Sequence, residues 1–555
     1  MTTDSGYVPQ HGCAISVAVI GAGPATAYLL AALATKANGV CPKISIFESS
    51  AIVGRGTPYN AYSSQYQLLS NLGADEIPSL HIAFSQWCVD NHIQFQQKIV
   101  PRYLIGQYLE HAFRYYMNKL GSRLSLYTQC PVVRIEPTAQ RTYRLHTATA
   151  LLGTFDYVVV NTGHGSIFHH AETDPQYTSA AAHRYFDGPY PLQKILNTEL
   201  QELVLRGASL SAIDCALAVA HKYGSFSQQR GKYSFHARKP LHITMYSTSG
   251  KLPGPWFASL DLVAPITEAI NQLIGDNTSI SLEAVFKAGF VDFLAKYAPS
   301  VYLQIRSMAM HQVIDYLLSN RALLDVNTLL KIEYISSSNN AANQENWQGV
   351  LECFGDCLHA CANELSAQDK QRYESVLKPF IAKANAALPA TSAAKIHALL
   401  RAGNITLISQ QISRDTFAKG LPRHIDTALY VDCTSSNNLS GVGIMLQPLI
   451  EAGYLTHTRE EITEPLDLNV TPHFEAINAH NRPAGLFIGA QTLLGSTLMT
   501  LPGLSLSHTI AGQIAHRLVT GKGASAQPAN NALAEASEDS QHGDSTADTT
   551  LTTAG

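Results

Sequence analysis

No apolar run in the 555 residues reaches the ~18 needed to span a membrane. The formal net charge of −4 supplies no basic footprint for nucleic acid. The polar stretch Met1 to Gly12 lacks the basic-then-apolar order of a secretory signal, so a cytoplasmic location is the default expectation. No CxxC pair occurs, which argues against a dithiol–disulfide reductase. No metal constellation stands out, since His169 and His170 are adjacent and would point apart in a strand. Cys353, Cys357 and Cys361 recur every four residues and so share one helix face. A buried stripe of small apolar side chains is the reading preferred, with iron–sulfur ligation the alternative.

What is present begins at residue 17. Val17-Ala18-Val19-Ile20 is a short apolar run of the kind found in buried parallel strands. It enters Gly21-Ala22-Gly23-Pro24-Ala25-Thr26, and the following residues pattern as a helix that Gly39 can end. A second strand, Lys43 to Phe47, closes with Glu48, 27 residues after Gly21. This is the strand–turn–helix–strand–acid order of a dinucleotide site. Gly21 permits the tight turn, Gly23 lets the backbone approach a pyrophosphate at the helix N-terminus, and Glu48 accepts from ribose hydroxyls. Thr26 stands where a third glycine or alanine is usual, which predicts looser helix–strand packing.

Further motifs follow in order. Gly54-Arg55-Gly56-Thr57-Pro58-Tyr59 is a glycine-rich loop directly after the second strand, and Leu68-Leu69-Ser70-Asn71 comes next. Pro101-Arg102-Tyr103-Leu104-Ile105-Gly106-Gln107-Tyr108-Leu109 opens an amphipathic helix to about Leu120, and Val132 to Ile135 reads as a strand. Asp156 to Val160 is a strand ending in Asn161-Thr162-Gly163. Leu203 to Arg206, then Gly207-Ala208-Ser209-Leu210-Ser211, repeats the strand–glycine turn–helix order.

These motifs resemble the flavoproteins with two dinucleotide-binding domains, in particular the group that includes bacterial FAD-dependent urate hydroxylases and amino-acid N-hydroxylases. That group shows a GxGPx turn, an acid closing the second strand, a GxGxxY loop, an LLxN segment, a PRxxxGxYL helix and an ATG strand end. The resemblance implies an α/β fold with two Rossmann-like domains, for FAD and NAD(P)H. It puts Gly21, Gly23, Pro24 and Ala25 at the FAD pyrophosphate and Glu48 at its ribose. Gly54, Gly56 and Tyr59 would lie alongside the flavin, Asn71 near its ring, Arg102 on the phosphate side, and Val132 at the adenine. Thr162, Gly163 and Gly489 would close the flavin site. Gly207, Ser209 and Ser211 correspond to the GxGLTAxD turn of the nicotinamide domain, with Ser209 in place of its second glycine. Thr248 replaces the arginine of an SRxGxLP motif, leaving Lys251 as the nearby cation, so NADPH is preferred over NADH.

The implied organisation is an FAD domain from 13 to 165, an NAD(P)H domain from 198 to 258, and a helical insertion from 259 to 403 shaping the substrate site. Residues 404 to 520 return to the nucleotide-binding folds, and 521 to 555 read as a disordered tail. Arg306, His311, Arg321 and His359 are candidate substrate contacts. Ser505 is a candidate cap for a last helix, Leu506 to Leu518. The implied activity is NAD(P)H-consuming hydroxylation of a small molecule (an amine, amino acid or heteroaromatic compound) by O2 through a hydroperoxyflavin. Two alternatives stand beside it: a flavin oxidoreductase without oxygen insertion, and a nucleotide-binding protein that has lost turnover. The sequence singles out no catalytic residue and no oligomeric state.

Overall fold

The computed structural model describes residues 15–36, 42–60, 68–95, 99–163, 184–230, 232–254, 256–257, 259–275, 280–320, 345–361, 364–425, 427–434, 440–458, 467–495 and 503–520. Gly39, His169, His170, Arg321, the expected helix at 322–332, the polar loop at 336–343 and the tail from 521 lie outside these residues.

Ser16–Ile20 is the strand on which the first sheet is built. Val17, Ala18 and Val19 are at most 1% exposed, because both faces of a parallel strand are covered by helices. It pairs in parallel with Lys43–Phe47 on one side and Tyr157–Val160 on the other. The full order is Glu475–Ile477, Pro483–Ile488, Tyr157–Val160, Ser16–Ile20, Lys43–Phe47, Leu124–Tyr127, and only the first pair is antiparallel. Helix Pro24–Lys36 crosses between strands and packs against Arg102–Leu120 and Leu504–Thr520. The last helix starts two residues earlier than its pattern suggested, so Ser505 lies inside it rather than capping it. The segment expected as a strand from Val132 pairs only from Arg134 to Pro137.

The second sheet has five parallel strands in the order Tyr185–Phe186, Leu429–Asp432, Glu202–Arg206, His242–Ser247, Ile405–Ser409. Its helix Leu210–Tyr223 buries Ala212, Ile213, Ala216, Val219 and Ala220 against Leu203, Leu205, Ile243 and Met245. Helix Ala390–Arg401 adds Ala393, Ile396 and Leu399 to the same core. In both sheets the strand preceding the glycine turn is flanked by the next strand on one side and a much later one on the other. Each turn therefore sits at a topological switch point, where open α/β sheets bind ligands.

The segment between His242–Ser247 and Ile405–Ser409 holds a third core, made mostly of helices, in which Ile266, Phe286, Phe290, Phe354 and Phe380 are at most 1% exposed. Its helices are shorter than their periodicity suggested: the expected Val301–Leu318 helix is Pro299–Ile305 followed by Met310–Asn320. Cys353, Cys357 and Cys361 lie in this core with free thiols. Cys353 Sγ and Cys357 Sγ donate to the carbonyls of Leu260 and Val263, and burial pushes these thiols up to about 11 and about 12. Protonated thiols facing carbonyls are packing groups, and among the described residues no cluster of His, Cys, Asp or Glu has a metal-holding arrangement.

Candidate functional site: two glycine turns

Gly21 has φ +98, and a methyl there would run into the backbone carbonyl of Asn161 on the neighbouring strand. Its role is to let two strand ends come together. Gly23 is different: a methyl would meet the Gly56 backbone, its Cα at 3.4 Å and its nitrogen at 3.8 Å. Gly56 in turn has φ +60, and Gly54 has φ +79 with the Glu110 Cα 2.6 Å from where its Cβ would stand. The Gly54 N–H donates to the Ala22 carbonyl at 2.6 Å, and Arg55 Nε meets Glu110 Oε2 at 2.6 Å. Gly106 accommodates the Tyr59 carbonyl, against which any side chain would collide. Turn, loop and helix thus form one interlocked unit.

Glu48 closes the second strand as expected and uses both oxygens on backbone amides. Oε2 accepts from the Ala22 N–H at 2.7 Å and Oε1 from the Ser50 N–H at 2.8 Å. A carboxylate has further lone pairs, so these bonds fix its orientation and leave acceptor capacity for a ribose.

Thr26 does not loosen the packing. It is fully buried, its hydroxyl donates to the Gly21 carbonyl at 2.6 Å, and it accepts from Asn161 Nδ2 at 2.9 Å. The hydroxyl proton is committed to Gly21, so Thr26 can only accept from the amide, and Asn161 Oδ1 must point the other way. That oxygen lies against Gly489, where a side chain would collide with it. Asn161 Oδ1 and Thr162 Oγ1 are buried without a protein partner. Around Gly163 (φ +65) nothing lies within 4 Å of the position a Cβ would take.

At the second turn Gly207 has φ +110, and its Cβ position is 3.1 Å from the Cys433 carbonyl. Its N–H donates to the Tyr246 carbonyl at 2.7 Å. Ser209 caps helix Leu210–Tyr223 by position, but its exposed side chain accepts no helix N–H. Ser211 is half-buried and Lys251 is exposed. The sequence reading missed Arg206 and Asp432, which end two adjacent strands. Arg206 Nη1 bonds Asp432 Oδ2 at 2.7 Å and Thr434 Oγ1 at 2.8 Å, and Asp432 is fully buried. The signal was opposite charges directly after the apolar runs at 203–205 and 429–431.

Residues 18–165 match the sequence model of a family described as FAD-NAD(P)-binding. Residues 18–165 are an FAD-NAD(P)-binding domain. Residues 267–384, within the helical core, match a YdhS-like middle domain. The uncharacterised protein YdhS of Escherichia coli (strain K12) is 24% identical over 426 residues, 71% of this chain and 76% of that protein. Solved structures similar to this one include FAD-bound DfoA, a cadaverine monooxygenase of Erwinia amylovora (11% identity, 92% of this chain, 96% of that one, TM-score 0.49). Ornithine N-hydroxylase KtzI of Kutzneria sp. 744 is another (12% identity, 91% and 99%, TM-score 0.45).

Within the FAD-NAD(P)-binding domain the residues fit a dinucleotide. The switch-point turn, the two orphaned polar atoms and the open position at Gly163 follow the C-terminal ends of the two central strands, Ser16–Ile20 and Tyr157–Val160. Val132 is buried, and Asn71 is exposed on the strand Leu69–Gly73. The resemblance sets Arg102 at the phosphate, whereas the structure places its guanidinium against Asp214 of the second domain at 3.0 Å. Arg306 and His311 are exposed on the helical body. Helix 358–361 carries His359, whose side chain lies outside the description. Among the described residues no helix is long and apolar enough to cross a membrane.

Proposed function

We propose that the protein is an FAD-dependent, NAD(P)H-consuming monooxygenase that hydroxylates a small molecule. The observation that supports this most is the presence, in one chain, of two positive-φ glycine turns at the switch points of two parallel sheets, the first within an FAD-NAD(P)-binding domain. Two such sites in one molecule suit electron transfer from a pyridine nucleotide to a flavin. FAD, when bound, would accept a hydride and activate O2.

The chain's own residues would divide the work. Gly23 and Gly56, whose missing side chains let turn and loop pack backbone to backbone, would present main-chain amides to the pyrophosphate. Glu48 would accept from the adenosine ribose, with Val132 beside the adenine. Thr162 Oγ1 and Asn161 Oδ1 would find partners in the ligand's hydroxyl groups, since a buried unpaired polar atom costs about 1–3 kcal/mol. Gly207 and the uncapped amides after Ser209 would receive the nicotinamide dinucleotide's phosphates, with Lys251 at the exposed rim. The helical body would shape the acceptor site.

The test is NADPH oxidation with and without candidate amines, amino acids and heteroaromatic compounds, with product and peroxide measured together. Substrate-dependent oxidation with a hydroxylated product supports the reading. NADPH oxidation that yields only peroxide with every acceptor class favours the oxidoreductase without oxygen insertion.

A further inference from the structure

The two nucleotide turns belong to different sheets, and a small set of residues joins them. Arg102 opens helix Arg102–Leu120, whose Gly106 and Glu110 clasp the glycine-rich loop through Tyr59, Gly54 and Arg55. Asp214 lies one turn into helix Leu210–Tyr223, which begins at the Gly207 turn. Arg102 Nη2 bonds Asp214 Oδ2 at 3.0 Å, Nε donates to the Leu69 carbonyl at 3.2 Å, and Nη1 reaches the Tyr190 hydroxyl at 3.4 Å. Tyr190 donates to Asp214 Oδ2 at 2.8 Å. All three guanidinium nitrogens are therefore engaged by protein oxygens. The Arg102 and Asp214 side chains are only 16% and 9% exposed. Independently, Leu68, whose carbonyl accepts from the Arg102 N–H, is buried in the core of the second domain rather than its own.

We propose that Arg102 and Asp214 are positioning residues that hold the nicotinamide turn in register with the flavin turn. This rests on the proposed function. A buried ion pair stabilises little relative to an apolar pair of the same volume, and its stronger effect is to fix one geometry. Hydride transfer is sensitive to such geometry, with a displacement of ~1 Å lowering rates on the order of a hundredfold. Burial pushes the Asp214 carboxyl up, and the Arg102 charge and the Tyr190 hydrogen bond oppose it. Leu68, Leu69 and Asn71 lie on one short stretch, so the docked segment is also the one the resemblance sets by the flavin ring.

The experiment compares Arg102→Gln, Asp214→Asn and the double variant with the wild type. Flavin content, the limiting rate of anaerobic reduction by NADPH, and amide hydrogen exchange at residues 68–72 and 210–214 are measured. The expected result is full flavin content, a limiting rate at least tenfold lower in each single variant, and no further loss in the double. Exchange should quicken on both sides of the contact, and Arg102→Lys should recover part of the rate. Unchanged rates in both singles, multiplying losses in the double, or loss of flavin on Arg102→Gln would each overturn the proposal. If the wild type is reduced by neither NADPH nor NADH, the functional reading fails instead. Hydrogen exchange then decides alone, and unchanged exchange in both singles overturns the docking role.

Discussion

The two glycine turns solve one steric problem with different surroundings. In each, a glycine at φ near +100 lies against the carbonyl of the neighbouring strand, Asn161 for Gly21 and Cys433 for Gly207. The first is cross-linked: Thr26 ties the Gly21 carbonyl to the Asn161 amide, and Glu48 ties the Ala22 amide to the second strand. The second has no such bond from Ser209, and the charged pair beside it, Arg206 with Asp432, braces the strand ends instead. A cofactor that stays bound suits the first arrangement, and a nucleotide that comes and goes suits the second.

The comparison breaks most sharply at Gly21. Gly21→Ala forces a methyl into a strand carbonyl at a φ that L-residues avoid, a strain of roughly 3 kcal/mol or more. Flavin retention and thermal stability should both fall. At Gly207 the corresponding contact is 3.1 Å, so Gly207→Ala should keep its flavin and slow only reduction by NADPH. If both variants keep their flavin and their reduction rates, the two turns are not nucleotide sites.

A subtler effect concerns Thr26 and Asn161, two places where the first domain departs from the sequence pattern it resembles. Thr26→Ala leaves the Asn161 amide buried without its acceptor, which costs about 1–3 kcal/mol. Thr26→Ala with Asn161→Ala restores small residues at both positions and should be less damaging than the sum of the singles. Denaturation midpoints around this cycle measure the coupling. Additive losses would show that the two departures are unrelated.

These departures also show what the sequence could and could not reveal. The first strand, its turn and Glu48 are legible because a continuous apolar run, closely spaced glycines and an acid at fixed spacing are all local signals. The helical body is legible from its periodicity. Thr26 read alone suggested loose packing, because its partner lies 135 positions away. Arg102 read alone suggested an ordinary surface cation, and the resemblance set it on the phosphate side; neither signalled the buried pair, because its partner Asp214 belongs to another domain. Local pattern reports the conformation of a segment, while the partner of a buried polar group is fixed by the topology.

A third effect lies between the first domain and the helical body. The Ser259 hydroxyl stands 2.8 Å from Glu76 Oε1 and 3.1 Å from Glu352 Oε2. One hydroxyl has one proton, so a second must come from a carboxyl. Burial, with the nearby Asp356 and Glu76 charges, pushes Glu352 from 4.5 up to about 7, and burial holds Asp356 at about 6. A carboxyl whose pKa is raised on folding favours the folded state when protonated. The contribution is complete below pH 4.5, declines as pH rises toward about 7, and is gone above it. Urea midpoints measured from pH 5 to 8 should fall with rising pH, and Glu352→Gln should flatten part of that slope. An unchanged slope in the variant would remove Glu352 as its source.

The smallest effect is expected at Ser209. Ser209→Gly clears the approach to the second turn and should tighten NADPH binding several-fold with little change in stability. Weaker binding would mean that the serine hydroxyl itself contacts the nucleotide.

The most direct measurement is the visible spectrum of the purified protein, followed by anaerobic addition of NADPH and, separately, NADH. The account predicts a flavin band that bleaches, faster with NADPH, which would show both turns occupied and connected. A protein that is colourless and takes up no added FAD would contradict it.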